Sequence, residues 1–310
     1  MKIAFLLLAH ANPLHLVRLA DRLAFGENRC FVHIDAKSDA TLFGALESRP
    51  LDIISPRIAV HWGDYSIVEA TLALLAAAMS HPARFDYFIL LSGADYPVQS
   101  SRYIQNFFIH HAGAEFIDMV KMPAPKYNKP LWRLTEYRHR PDEPQVPQPS
   151  RDFRPVFGKF KPYAGSAWWS LTRRTCAEIL DFQERHKQIV EFYKNTACPD
   201  ESFFQTIVAS VMPAKQIRPS LTYADWRTTG YSPRDISEDH LDFLGRPHVL
   251  VKGNLRTSEI LFARKFSDQR PDITDRLDEL IDQKSDAIYQ GRNPLRYLRR
   301  LFGESNRPGS

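Results

Sequence analysis

Two acidic residues, Asp200 and Glu201, stand together in the segment Pro199-Asp200-Glu201-Ser202-Phe203-Phe204. The pattern predicts a helix over 200–211 with both acids in its first turn, where the macrodipole favours negative charge. Capping accounts well for Asp200. Glu201 is the better candidate for chemistry, as a general base that takes the proton from an attacking hydroxyl. A basic pair, Arg264-Lys265, closes the apolar run Leu261-Phe262-Ala263. Cations at a strand end can stabilise charge developing on a departing phosphate. Taken alone, the pair reads as solvated surface charge.

Two further segments place polar groups just past apolar runs. In His33-Ile34-Asp35-Ala36-Lys37-Ser38, Asp35 can accept hydrogen bonds from a uracil or ribose, with Lys37 beside it; otherwise the segment is a polar turn. In Leu91-Ser92-Gly93-Ala94-Asp95-Tyr96-Pro97, Gly93 permits close backbone approach and Asp95 stands alone. A lone carboxylate is a poor site for a hard cation, which wants several oxygen ligands. A bound diphosphate would then need neutralising by side-chain cations. His10, His15 and His33 fall near the same end of the chain's strands and read as structural hydrogen-bonders. Trp168 and Trp169 are neighbours in an expected strand, so one faces the core and the other is free to face a ligand.

These residues must be held by a sheet. Residues 2–9 form a continuous apolar run, as in a strand buried on both faces. A helix over 13–24, strands at 30–34, 58–61 and 86–92, and a helix over 66–80 with Ser66 and Glu69 as a capping box follow. This βαβαβ order predicts an α/β fold with a mostly parallel central sheet flanked by helices, where nucleotides bind at the carboxyl ends of the strands. Residues 122–163 are rich in proline, arginine and aromatics without a period, as in a substrate-facing loop. A strand at 165–171, helices at 173–195 and 200–211, a strand at 259–263 and an amphipathic helix at 272–289 complete the order. The reading is one catalytic domain over 1–290, with a nucleotide-binding half at about 1–120 and an acceptor half at about 121–290. Residues 291–310 form a basic amphipathic tail that could lie on an anionic membrane.

Composition bounds the rest. The 310 residues are 44% apolar and 25% charged, an ordinary globular profile. The net charge of +5 suits an anionic ligand or an anionic surface and is too small to argue for nucleic acid. Three cysteines, Cys30, Cys176 and Cys198, have neither disulfide nor zinc spacing. No apolar run reaches the roughly 18 residues of a membrane span. The N-terminal run reads as a strand, not a signal, and the expected location is the cytoplasm, with the tail as a peripheral contact.

Six segments together resemble the core-2/I-branching β-1,6-N-acetylglucosaminyltransferases and the related peptide O-xylosyltransferases (glycosyltransferase family 14). In order they are His33–Ser38, Trp62-Gly63-Asp64-Tyr65-Ser66 with Glu69-Ala70, Leu91–Pro97, Gly165-Ser166-Ala167-Trp168-Trp169, Pro199-Asp200-Glu201 and Leu261–Phe266. The resemblance covers roughly residues 2 to 267. It implies a GT-A-like fold, an inverting transfer from a UDP-sugar co-substrate to a glycan or glycoconjugate acceptor in surface polysaccharide synthesis, and no metal or other cofactor. Glu201 matches the family's base, Lys265 its diphosphate contact and Asp35 its uridine contact. Arg246 fits the upstream diphosphate arginine by spacing, with Arg234 and Lys252 as alternatives. Trp226 resembles an acceptor-site tryptophan, with Trp169 as a second acceptor-side candidate. The donor sugar stays open between GlcNAc and xylose. So do a metal-dependent rival using Asp95 and a non-catalytic rival that only binds.

Overall fold

The computed structural model describes residues 1–290 except 128, 141–142, 145, 228–231 and 253–256, so the tail 291–310 lies outside it. The chain runs β1 (Ile3–Ala9), α1 (Pro13–Leu23), β2 (Arg29–Ile34), β3 (Leu51–Ile53), α2 (Ser66–Ser80), β4 (Tyr87–Ser92), β5 (Asp95–Pro97), α3 (Ser101–His110), β6 (Glu115–Ile117) and β7 (Val120–Lys121). Then come α4 (Trp132–Thr135), α5 (Arg154–Phe157), β8 (Tyr163–Ala164), β9 (Trp169–Thr172), α6 (Arg173–Arg185), α7 (Lys187–Lys194) and α8 (Phe203–Val211). Last are β10 (Ile217–Arg218), β11 (Thr222–Ala224), α9 (Glu238–Leu244), β12 (Leu250–Lys252), β13 (Thr257–Glu259), β14 (Phe262–Arg264) and α10 (Pro271–Gln290).

Seven strands form the central sheet in the order β10-β6-β9-β4-β1-β2-β3. β4, β1, β2 and β3 are mutually parallel, and β9 alone runs against its neighbours β4 and β6. The expected mostly parallel sheet flanked by helices is therefore the observed one. β1 shows why its sequence is apolar throughout. Ile3, Phe5, Leu7 and Ala9 enter one core with α1, α3 and α10, while Ala4 and Leu6 enter a second core with α2, α6 and α8. In register, Ala9 lies opposite Ile34 and Leu8 opposite Ser92, so β1, β2 and β4 end together at one edge. A second sheet, β11-β14-β5, sets Ala224, Arg264 and Asp95 side by side.

Several expected elements shift. Residues 58–61 are not a strand: Ile58 N donates to His33 Nε2 and Val60 N to Asp35 Oδ1, so side chains rather than a ladder take up their backbone groups. The third strand is Leu51–Ile53 instead. Ser66 does not cap α2 through a box. Asp64 Oδ1 accepts from Ser66 N, and Ser66 Oγ accepts from His61 N. The long helix at 173–195 is broken at His186 into α6 and α7. The strand at 165–171 begins only at Trp169, and the one at 259–263 is split between the ends of β13 and β14.

Candidate active site

Glu201 sits at the end of a 3₁₀ turn, Pro199–Glu201, that precedes α8. It therefore precedes the α-helix's N-cap, Ser202, rather than lying in its first turn, and side chains from elsewhere hold it. Two cations from the aperiodic middle segment do so. Lys129 Nζ and Arg133 Nη1 both donate to Glu201 Oε2, the latter over 2.5 Å. Burial works to raise the pKa of this half-buried carboxyl, but the two charges and their hydrogen bonds outweigh it and hold Glu201 below the ordinary glutamate value. Its neighbour Asp200 goes the other way, pushed up to about 7 by burial and then by the charge of Glu201. Of the two neighbours, Glu201 is therefore the one that ionises first as pH rises.

The turn is pinned from outside. Gly165 N donates to Glu201 O over 2.8 Å. Only glycine fits there, because a Cβ on residue 165 would lie 1.6 Å from the carbonyl oxygen of Asp118. On the other side, Cys198 N donates to Gly63 O, and Arg138 Nη2 donates to Trp62 O. The Trp62–Ser66 turn and the Pro199–Glu201 turn thus share one frame, beside a cleft of about 330 Å³ lined by His61, Asp64, Ser66 and Glu69.

The loop from Gly165 leads to Trp168, whose ring lies under the Arg264 guanidinium, 3.9 Å from the ring centroid. Arg264 is buried, with Nε 3.4 Å from Asp95 Oδ1, and its pKa falls through burial against the opposing charges of Asp95 and Asp200. Lys265 follows at the carboxyl edge of the main sheet, where Phe266 N donates to Ala94 O. Burial, then the charge of Arg264, lowers its pKa. Lys265 Nζ donates to Ser232 Oγ over 2.7 Å, and Ile236 N donates to Lys265 O. The segment touching Lys265 therefore carries Arg234. Arg234 and Arg227 are both held by Asp225, a buried carboxylate that also takes a 3.0 Å bond from His240 Nε2. Trp226, between Asp225 and Arg227, is 59% exposed beside this cationic lip.

The remaining expected residues divide. Asp35 is at the shared strand edge; its Oδ1 accepts from Lys37 N, its Oδ2 lies 3.5 Å from Lys37 Nζ, and Lys37 Nζ also donates to Val60 O. Gly93 is at the same edge, its N bonded to Leu8 O, with room there for little more than its own hydrogen beside Ala9. Asp95 is fully buried; its Oδ2 accepts from Ser92 N, while its Oδ1 lies 3.4 Å from Arg264 Nε without a hydrogen bond. Arg246 is elsewhere: it follows α9, with its guanidinium over Phe243. Trp169, expected on the acceptor side, is 1% exposed and packs on Phe204, so strand alternation leaves Trp168 as the one facing the site.

Comparison with known sequences now becomes decisive. Residues 3–243 match the family described as Core-2/I-Branching enzyme. The chain belongs to that family. Its similar relatives include a xylosyltransferase of Ciona intestinalis, 24% identical over 86% of this chain and 32% of its own length. They also include human xylosyltransferase 2, 22% identical over the same shares. A third is the rat beta-1,3-galactosyl-O-glycosyl-glycoprotein beta-1,6-N-acetylglucosaminyltransferase 3, 21% identical over 73% of this chain and 52% of its own. The chain thus spans about a third to a half of the length of these relatives. Among solved structures, apo mouse xyloside xylosyltransferase 1 aligns with 74% of this chain and 91% of its own, at a TM-score of 0.37 and 13% identity.

For this family member, motif reading did not find Lys129, Arg133 or Asp225. The first two lie 72 and 68 residues from Glu201, in a segment without periodicity. Their one sequence signal is charge. Residues 122–163 hold nine Lys or Arg against four Asp or Glu, an excess equal to the +5 of the whole chain. The rest of the chain is neutral in sum.

Proposed function

We propose that this chain is an inverting glycosyltransferase that moves a sugar, GlcNAc or xylose, from UDP to an acceptor hydroxyl on a glycan or glycoconjugate. The observation that carries the reading is Glu201, an ionised carboxylate fixed by two cations in a turn framed by Gly165 and Gly63. Glu201 takes the acceptor's proton as the hydroxyl oxygen attacks the anomeric carbon. The new C–O bond forms while the anomeric carbon's bond to the β-phosphate oxygen breaks, and UDP leaves with the electron pair. Lys265, with Arg264 behind it and Arg234 on the adjoining segment, offsets the charge gathering on UDP. In this reading side-chain cations take the place of a metal at the leaving group, and Asp95 is fully buried with its Oδ1 3.4 Å from Arg264 Nε. In this reading Asp35, at the strand edge, contacts the uridine, and the exposed Trp226 contacts the acceptor. A role in cell-surface polysaccharide synthesis at the cytoplasmic face of a membrane is consistent with this chemistry.

Glu201→Gln tests the reading. Transfer from UDP-GlcNAc or UDP-xylose should vanish while UDP still raises the melting temperature by mass action; a variant that transfers at the wild-type rate removes Glu201 from the mechanism. Wild-type activity should persist in EDTA. Loss there with recovery in manganese would replace the cationic leaving-group site by a metal.

A further inference from the structure

The two cations on Glu201 do more than balance its charge. Both bind the same oxygen, Oε2. Lys129 is itself fixed, because its backbone N–H and C=O pair with Ala124 in a short bridge. Arg133 belongs to α4, and its largely buried guanidinium is 13% exposed. A carboxylate held at one oxygen from two directions cannot rotate freely, and its second oxygen is aimed. We propose that Lys129 and Arg133 are positioning residues that lock Glu201 through Oε2, so that Oε1 is the oxygen that meets the acceptor hydroxyl. This rests on Glu201 being the base.

The surroundings agree. Among the described residues, the titratable groups facing Glu201 are Lys129 from the segment after β7, Arg133 from α4, and Asp200 and Cys198 from its own turn. Asp118, at the end of β6, faces Lys129. Of these only the two cations favour the ionised form of Glu201; Asp200 and burial oppose it. Removing one cation leaves the base both free to turn and easier to protonate.

The test uses the full chain and has two readouts. The first is the titration of the Glu201 carboxyl followed by ¹³C NMR with labelled glutamate, assigned by the signal missing in E201Q. It needs neither donor nor acceptor, so it stands even if transfer is never observed. A charge at contact distance is worth roughly 1–3 pH units, so Lys129→Met and Arg133→Met should each move the titration up by about one unit or more. The second is the pH profile of kcat/KM. Its acid limb should move up by the same amount in each Met variant and return in Lys129→Arg and Arg133→Lys, with kcat falling more than donor KM rises. A Met variant that fails to fold is replaced by the conservative one, whose kcat should still drop because the bond geometry at Oε2 changes. An unmoved titration and acid limb in folded variants would overturn the proposal, whereas E201Q retaining transfer would overturn the base assignment and leave the clamp intact.

Discussion

Gly165 lies so close to Asp118 that a methyl group has nowhere to go, and its N–H is one of the few bonds holding the turn of Glu201. Gly165→Ala must push the backbone away from Asp118 O, at a cost of about 3 kcal/mol, the upper part of the usual range for overpacking. Its expected signature is loss of transfer together with a lowered melting temperature; a variant with wild-type stability would show that the loop relaxes without strain. Asp225 offers a second residue-level prediction. Asp225→Ala leaves His240 Nε2 and two guanidinium groups without their acceptor, a loss of roughly 1–3 kcal/mol, and frees the segment that braces Lys265. Calorimetry of UDP binding should show weaker affinity, and unchanged affinity would separate Arg234 from the diphosphate. At this scale the sequence was legible in position: Glu201, Lys265 and Asp35 were expected at the ends of elements, and they stand there. It was illegible where the partner comes from far along the chain. Spacing cannot show that Lys129 meets Glu201, nor that Asp95 turns inward to Arg264 rather than outward. Spacing likewise cannot choose between Arg246, which follows α9, and Arg234, which lies on the segment bonded to Lys265.

Among the elements, α10 binds the fold through charge as well as through Ile273, Leu277 and Ile281. Arg18 on α1 donates to Asp275 and Asp278, Arg22 to Asp282, and the buried Tyr96 hydroxyl to Asp278. The final tie is Lys284, buried, with Nζ donating to Val98 O and to Leu244 O at the end of α9. Burial brings its pKa down to about 8. An exposed lysine in the unfolded chain titrates near ~10.4. Between those values the unfolded state holds more protons than the folded one, so stability rises with pH across that window; below it both states carry the charge and the burial penalty is complete. Melts of the wild type against Lys284→Met at pH 7 and pH 9.5 should show the wild type gaining on the order of 1–3 kcal/mol relative to the variant. A constant difference would mean that Lys284 is hydrated in the folded state. The amphipathic pattern of 272–289 made this helix readable, but not that a lysine on it points inward, since only tertiary contacts supply the two carbonyls.

For the whole molecule, the boundary near residue 120 suggested by the change in composition does not divide the packing. One core joins residues 3–116 to residues 221–281, and the other joins residues 4–90 to residues 117–212. Both lie on the same sheet, and each takes chain from both sides of residue 120. The family match stops at residue 243, yet β14 and α10 beyond it supply Phe262, Ala263, Leu277 and Ile281 to the first core as well as Lys265 to the site. Removing them uncovers several large apolar side chains, each worth about 1.5–3 kcal/mol of burial, against a total stability of only about 5–15 kcal/mol. A fragment of residues 1–243 should therefore lack a cooperative melting transition, and so should residues 1–120, while the chain through residue 290 should unfold in one calorimetric step. A sharp melt from the 1–120 fragment would establish an independent nucleotide-binding unit and would mean that the shared cores are a later docking of two folded halves.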